Sequence, residues 1–152
     1  MANVFLSPST QEFNTSLSGE SEEYMNLIVD AMIPYLRASQ ISYGRNNRNM
    51  TTQESVNAAN SHDYDFYLAI HSNASGEENS GQSQGAEIYY YPNSTSGRRA
   101  AIIFANNYKE IYPKDENIRI IPNQNYIELN KTKMPALLFE VAYHDNIQDL
   151  NW

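Results

Sequence analysis

The chain has 152 residues and no cysteine. Disulfides, thiol nucleophiles and thiolate-held metals are therefore excluded. The compartment stays open, because cysteine-free chains suit both the cytoplasm and bacterial export. Basic residues are scarce: ten Lys and Arg stand against eighteen Asp and Glu, a formal charge of −8. That balance argues against nucleic-acid phosphates, and against a strongly anionic membrane surface, as the main partner. Long apolar runs are missing as well. None approaches the roughly 18 residues that would suggest a membrane span. The start, Met1-Ala-Asn-Val-Phe-Leu6, has neither the basic region nor the apolar stretch of a signal peptide. Action outside a cell would thus call for a signal or domain not present in this chain, or for lysis. Also missing are a GxSxG elbow, a phosphate loop, an HExxH pair and a Gly-rich dinucleotide turn.

The length is about one domain's worth, enough for a single sizeable core. Asn, Ser and twelve Tyr make up for the low charged and apolar content. Most tyrosines alternate with apolar residues and read as half-buried core edges. A tyrosine with an apolar face and a polar tip also suits stacking on a sugar or peptide.

Hydrophobic periodicity organises the chain. Val4-Phe5-Leu6 reads as a first strand. Ser21-Glu22-Glu23 opens a helix, with acidic residues at its positive end, and Met25, Ile28, Val29, Met32 and Leu36 continue at helical spacing. Pro34 predicts a kink or a changed boundary. Ile41 to Tyr43 is a weak strand, Asn46 to Met50 a polar loop, and Thr52 to Asn60 a short helix. Asp65 to Ile70 is the strongest strand. Ser75 to Gly85 reads as a mobile loop. Ala86 to Tyr91 is a strand, Ser96 to Ile111 a helix ended by Pro113, and Asn117 to Pro122 a further short strand. Ile127 to Met134 has no clear pattern, and Pro135 to Glu140 is the last strand. This alternation predicts a single α/β domain over residues 1–152, an open, mostly parallel twisted sheet with helices on both faces.

Two stretches carry chemistry: Ala69-Ile70-His71-Ser72-Asn73-Ala74 and Phe139-Glu140-Val141-Ala142-Tyr143-His144-Asp145-Asn146. Each runs from buried strand into polar groups. Open α/β sheets bind ligands beyond the carboxyl ends of their strands, so His71 and Glu140 are expected to meet in one site. Glu22, at a helix start, can reach the same rim. Imidazole and carboxylates suit a zinc-assisted hydrolase. Glu140, after Ala-Leu-Leu-Phe, is a carboxylate in a central strand, where such groups are paired or functional. Two-residue alternation places Glu140, Ala142 and His144 on one face, so that His144 joins the site. His62 lies before its strand and reads as a surface loop residue.

In order and spacing, these blocks resemble the zinc-dependent N-acetylmuramoyl-L-alanine amidases of the amidase-3 type. Glu22-x-x-x-Asn26-Leu27 resembles the family's glutamate-ligand helix. Ala59-Asn60, Asp65 and Ile70 to Ala74 resemble its "AN…D…IHxNA" block, whose histidine binds zinc. Gly85 to Tyr89 resembles the strand after its variable loop. Glu128-Leu129, Met134-Pro135-Ala136 and Glu140 to Asn146 resemble its final block, with the catalytic glutamate. The resemblance runs from Val4 to Trp152. It implies a peptidoglycan hydrolase that cuts between N-acetylmuramic acid and L-alanine, with Glu140 as base and Glu22 and His71 on zinc. Its partner would be a muramyl peptide in the bacterial cell wall or outside the cell.

Two departures stand out. Where the family has a histidine ligand in a "DPGHGG"-like turn, this chain reads Leu6-Ser7-Pro8-Ser9-Thr10-Gln11. His144 is then a candidate third ligand and Gln11 a weaker one. Asn73 and Asn146 are candidates for substrate binding or for orienting loops, and the Ser75 to Gly85 loop for the groove wall. The family domain continues with a helix after the Asp-Asn block, whereas this chain stops at Trp152; a truncated chain would lack that last helix. The missing histidine also leaves two alternatives: a catalytically impaired relative that acts as a peptidoglycan-binding module, or a zinc peptidase that cuts another bond.

Overall fold

The computed structural model describes residues 1–10, 15–16 and 19–152, with side chains described for 1–10 and 23–152. The strands are β1 (Asn3–Pro8), β2 (Thr15–Ser16), β3 (Gly19–Glu20), β4 (Ser42–Arg45), β5 (Phe66–Asn73), β6 (Ala86–Tyr90), β7 (Ile118–Pro122) and β8 (Ala136–Tyr143). The helices are α1 (Ser21–Ala38), α2 (Thr52–Asn60), α3 (Thr95–Lys109), α4 (Ile127–Asn130) and α5 (Ile147–Asn151). Six strands form one sheet in the order β4-β1-β5-β8-β6-β7, and β2 and β3 form a separate two-stranded pair. β4, β1, β5 and β8 run parallel, and β6 pairs antiparallel with β8. The expected mostly parallel α/β sheet is what forms.

Alternation along each strand sorts the core into two layers. Leu6, Leu68, Ile70, Leu137 and Phe139 face one side, where Met25 and Val29 of α1 and Ala101 and Ala105 of α3 cover them. Phe5, Tyr67, Ala69, Ala136 and Leu138 face the other, under Val56 and Ala59 of α2 and Leu129 of α4. Central strands buried on both faces explain the near-continuous apolar runs in the sequence. α2 begins where expected because Thr51 and Glu54 form a reciprocal capping box.

Four segments bear on the sequence reading. α1 runs through Pro34 to Ala38. Pro34 and Asp30 both lie on its exposed side, so the carbonyl that loses its partner faces water. Residues 127–130, without a clear pattern in sequence, form α4, a single turn too short to show periodicity. α5 follows the Asp145-Asn146 block. The loop from Ser75 to Gly85 is tied down. The Asp145 carboxylate accepts from the Ser75 and Gly81 N–H groups at 3.0 and 3.1 Å, and Asn146 donates to the Gly81 carbonyl at 2.9 Å. Burial works against the Asp145 charge, but these donors outweigh it and hold its carboxyl below the usual range.

β8 also carries an irregularity that matters for the site. His71 pairs with Glu140 and Asn73 with Tyr143, so β8 has one residue more than β5 between these pairs. This bulge reverses the facing of the residues beyond it. Ala142 packs with the α1/α3 layer, whereas Tyr143 reaches Glu87 on Glu140's side. The expected shared face of Glu140, Ala142 and His144 is therefore not formed. Asp149 holds the bulge. Its Oδ2 accepts from the N–H groups of Gly85 at 2.9 Å and Tyr143 at 2.8 Å, and its Oδ1 from the Tyr112 hydroxyl.

Asp149 is buried, and truncation would leave three donors without an acceptor. Asp149→Ala is expected to cost about 3 kcal/mol or more. Urea unfolding checks this: a midpoint unchanged from the parent would mean that water replaces the carboxylate and the bulge does not depend on it.

Candidate active site

The site lies where the strand order reverses. β1 leads through α1 to β4 on one side, while β5 leads on to β6 on the other. The carboxyl ends of β1 and β5 therefore border a crevice of the kind that binds ligands in open sheets. Antiparallel β6 brings its amino end to the same rim. Ser7, Tyr67, His71, Glu140 and Glu87 all come to the α2/α4 side of the sheet there, through two-residue alternation.

α4 closes this group from above. Asn123 Oδ1 accepts from the N–H groups of Asn125 and Tyr126, fixing the turn that starts α4. Leu129 enters the core, and Glu128 is carried in beside it at 2% exposure. Glu128 Oε2 accepts from the hydroxyls of Tyr67 and of Ser7, the latter at 2.8 Å. Glu128 Oε1 lies 2.8 Å from His71 Nε2. Burial works against a charge on His71, yet its hydrogen bond to Glu128, with the charges of Glu128 and Glu140, raises its pKa above the ordinary value.

Glu140 sits beside His71 in the sheet. Its Oε2 is buried and, among the described residues, has no hydrogen-bond partner. Burial pushes its carboxyl up to about 7, with the charges of Glu87 and Glu128 adding to the rise and His71 opposing it. Glu87, directly across from Glu140 on β6, is fully satisfied. It accepts from Arg119 at 2.6 Å, from Tyr143 at 3.1 Å, from Asn73 at 3.2 Å and from the Tyr89 hydroxyl.

A cavity of about 500 Å³ opens over these groups. His71, Glu128, Glu140, Leu138, Asn125 and Tyr126 are among its walls. The tethered loop from Ser75 to Gly85 does not line it; the segment leading into α4 does. His144 reaches the cavity, but its Nδ1 is 2.9 Å from Ser72 Oγ. Burial lowers its pKa, against the pull of Asp145. Asn73 lines the cavity while donating to Glu87. Asn146 does not line it: its side chain caps α5 by accepting from the N–H groups of Gln148 and Asp149. His62 is exposed, as expected. Gln11 and the side chain of Glu22 lie outside the described residues.

The donor chemistry fits zinc: an imidazole, carboxylates and no thiolate. Among the described residues no three His, Cys, Asp or Glu side chains form a complete metal cage. Two adjacent donors, His71 and Glu128, do meet, and the orphaned oxygen of Glu140 marks a place where a further polar partner belongs. Sequence reasoning misses Glu128 and Glu87 as site residues. Glu128 is an acid set between Ile127 and Leu129, in a segment without readable period, and the family's final block includes it without assigning it a role.

The sequence pattern of the N-acetylmuramoyl-L-alanine amidase family matches residues 12–152. The chain belongs to this family. It is 24% identical over 164 residues to the N-acetylmuramoyl-L-alanine amidase CwlM of Bacillus licheniformis, covering 98% of this chain and 59% of that protein. The chain thus spans about three fifths of the length of that relative. Its fold is similar to the N-acetylmuramoyl-L-alanine amidase of Clostridium difficile 630, with TM-score 0.82, 20% identity and coverage of 99% of this chain and 84% of that one. It is likewise similar to the catalytic domain of the amidase CwlV of Bacillus (Paenibacillus) polymyxa, with TM-score 0.77, 20% identity and coverage of 99% and 86%. At these identities the structural likenesses establish the amidase fold. Against the family's pattern, the stretch Leu6 to Gln11 has no histidine. Ser7, within it, points to Glu128.

The raised Glu140 has a consequence for stability. Between its ordinary value of 4.5 and about 7, the unfolded chain releases a proton that the folded chain keeps. The folded state therefore loses stability as pH rises through that window, and the loss persists above it. In metal-free protein, Glu140→Gln is expected to match the parent near pH 4. At pH 8 the variant should be the more stable by on the order of 2–3 kcal/mol. Denaturant midpoints at the two pH values check this, and a variant no more stable than the parent at pH 8 would refute it.

Proposed function

We propose that this chain is an active amidase that hydrolyses the amide between N-acetylmuramic acid and the L-alanine of the peptidoglycan stem peptide. Family membership supports the reading. The observation that carries it is the buried carboxylate oxygen of Glu140, without a partner among the described residues, beside His71 in a cavity at the strand ends. A general base works best with a pKa near the working pH. Glu140 is raised into that range by its surroundings. It would take a proton from the attacking water and then deliver it to the nitrogen of L-alanine as the C–N bond breaks. The muramic acid lactyl group would leave as a carboxylate.

Glu22 and His71 would hold zinc, with a third donor. When bound, zinc polarises the scissile carbonyl and lowers the pKa of a bound water to about 7. Glu87, locked by Arg119, Tyr143, Asn73 and Tyr89, keeps a fixed negative charge next to Glu140 and so helps hold Glu140 near neutrality. Tyr126, packed edge-on against Tyr89 at 5.1 Å between ring centres, presents an aromatic wall at the cavity for the sugar or peptide. Peptidoglycan is thus the proposed partner and the bacterial cell wall the proposed place of action. Among the described residues no helix is long and apolar enough to cross a membrane. A non-catalytic binding module is less well supported, since such a module has no use for a buried carboxylate that costs stability.

Mass spectrometry of digested peptidoglycan tests the bond: intact lactyl-muramic acid and free L-alanine amino termini are expected. Glu140→Gln should lower kcat by at least about 10²-fold. The parent's rate should rise with pH along an acidic limb below about 7, because a bound metal lowers the pKa of Glu140 from its metal-free value. A Glu140→Gln enzyme with the parent's rate would remove Glu140 as the base, and fragments cut elsewhere in the peptide would replace the amidase reading with a peptidase.

A further inference from the structure

We propose that Glu128 is a metal ligand and takes the place of the histidine that this chain lacks after β1. The inference rests on the metal-dependent reading of the site and assigns it a ligand that the sequence motifs do not suggest. Three observations carry it. Glu128 is buried at 2% exposure at the mouth of the crevice, where a carboxylate is costly without a strong partner. Its two oxygens have different surroundings. Oε2 is held by the hydroxyls of Ser7 and Tyr67, which fixes the carboxylate plane and leaves Oε1 directed at His71 Nε2. The neighbouring Glu140 Oε2 is buried and has no partner among the described residues, so the pocket holds an unsatisfied acceptor next to this pair.

The distance is that of a hydrogen bond and lies close to one edge of a coordination shell. Glu128 Oε1 and His71 Nε2 are 2.8 Å apart. Two donors on a tetrahedral zinc, with bonds of about 2.0 Å, sit about 3.3 Å apart. A slight opening of the pair, with loss of the proton they share, converts it into one edge of a coordination shell. Metal sites release protons in this way when they load. Location agrees as well. Ser7 lies in the stretch in which the family places its histidine, and Ser7 is what anchors Glu128. The carboxylate on α4 is thus tied to the end of β1, the strand that leads into the stretch lacking that histidine. Glu22, the glutamate position of the family motif, would supply a further donor.

Cobalt(II) binding tests this on the whole chain. Its visible bands report the ligands themselves, apart from any activity. The parent is expected to bind about one Co²⁺, and His71→Ala to bind none. Glu128→Gln, whose amide oxygen still accepts from Ser7 and Tyr67, should bind at least about 100-fold more weakly or show altered bands. Glu128→His should restore stoichiometric binding with bands shifted by the added nitrogen. Ser7→Ala leaves the ligand in place and should weaken binding about 10-fold with the parent's bands. Far-UV circular dichroism and Tm of each metal-free variant separate misfolding from ligand loss, and Glu128→His decides if Glu128→Gln fails to fold. A folded Glu128→Gln or Glu128→His that binds Co²⁺ with the parent's bands overturns the proposal and leaves Glu128 as a positioning residue for His71. A parent chain that binds neither Co²⁺ nor Zn²⁺ overturns the metal-dependent reading itself, a separate result.

Discussion

The carboxylate of Glu128 is the junction on which the active end of the molecule depends. Through its two oxygens it links Ser7 at the end of β1, Tyr67 and His71 on β5, and its own helix α4. A carboxylate only accepts hydrogen bonds, so in this arrangement it requires Tyr67, Ser7 and His71 each to point a hydrogen at it. That requirement fixes the His71 ring. Desolvating such a charge costs several kcal/mol, and the three donors offset that cost where one would not.

The same carboxylate shapes the electrostatics around it. Its charge helps raise His71, and with Glu87 it helps raise Glu140. The two glutamates flanking Glu140 are both fully bonded, whereas Glu140 is not. The site thus contrasts fixed, satisfied charges with one carboxylate left poised. Fixed neighbours tuning a reactive group is how a carboxyl comes to act as a base near neutral pH.

How much of this is legible in the sequence depends on the range of the forces involved. His71 and Glu140 are readable because each ends an apolar run, and the parallel sheet then sets them side by side. The capped helix α2 is readable because Thr51 and Glu54 are local. Glu128 is not, because α4 is one turn long and its burial is decided by Tyr67 and Ser7, 61 and 121 residues away. The facing of Ala142 escapes for a similar reason. Strict alternation places it with Glu140, whereas it packs with the α1/α3 layer. The bulge that breaks the alternation is held by Asp149, which takes the Tyr143 N–H. The loop from Ser75 to Gly85 reads as mobile by composition, yet Asp145 and Asn146 from beyond the last strand tie it down.

Charge balance at the rim bears on what the pocket is for. Glu128 and Glu140 lie beside one imidazole, and Glu87 lies across from Glu140 with Arg119 as its paired cation. In a buried, low-dielectric setting like charges this close repel strongly, and proteins tolerate them where a proton or a cation is shared among them. Here the proton option is visible: Glu140 holds its proton up to about neutral pH because burial disfavours its charge, and the charges of Glu87 and Glu128 add to that. A divalent cation beside His71 and Glu128 would relieve the same repulsion more completely, and would at the same time lower the pKa of Glu140 and free it to accept a proton. Loading the site and activating the base would then be one electrostatic event. That coupling gives a physical reason for a fold to keep a carboxylate that, without a partner, costs it stability.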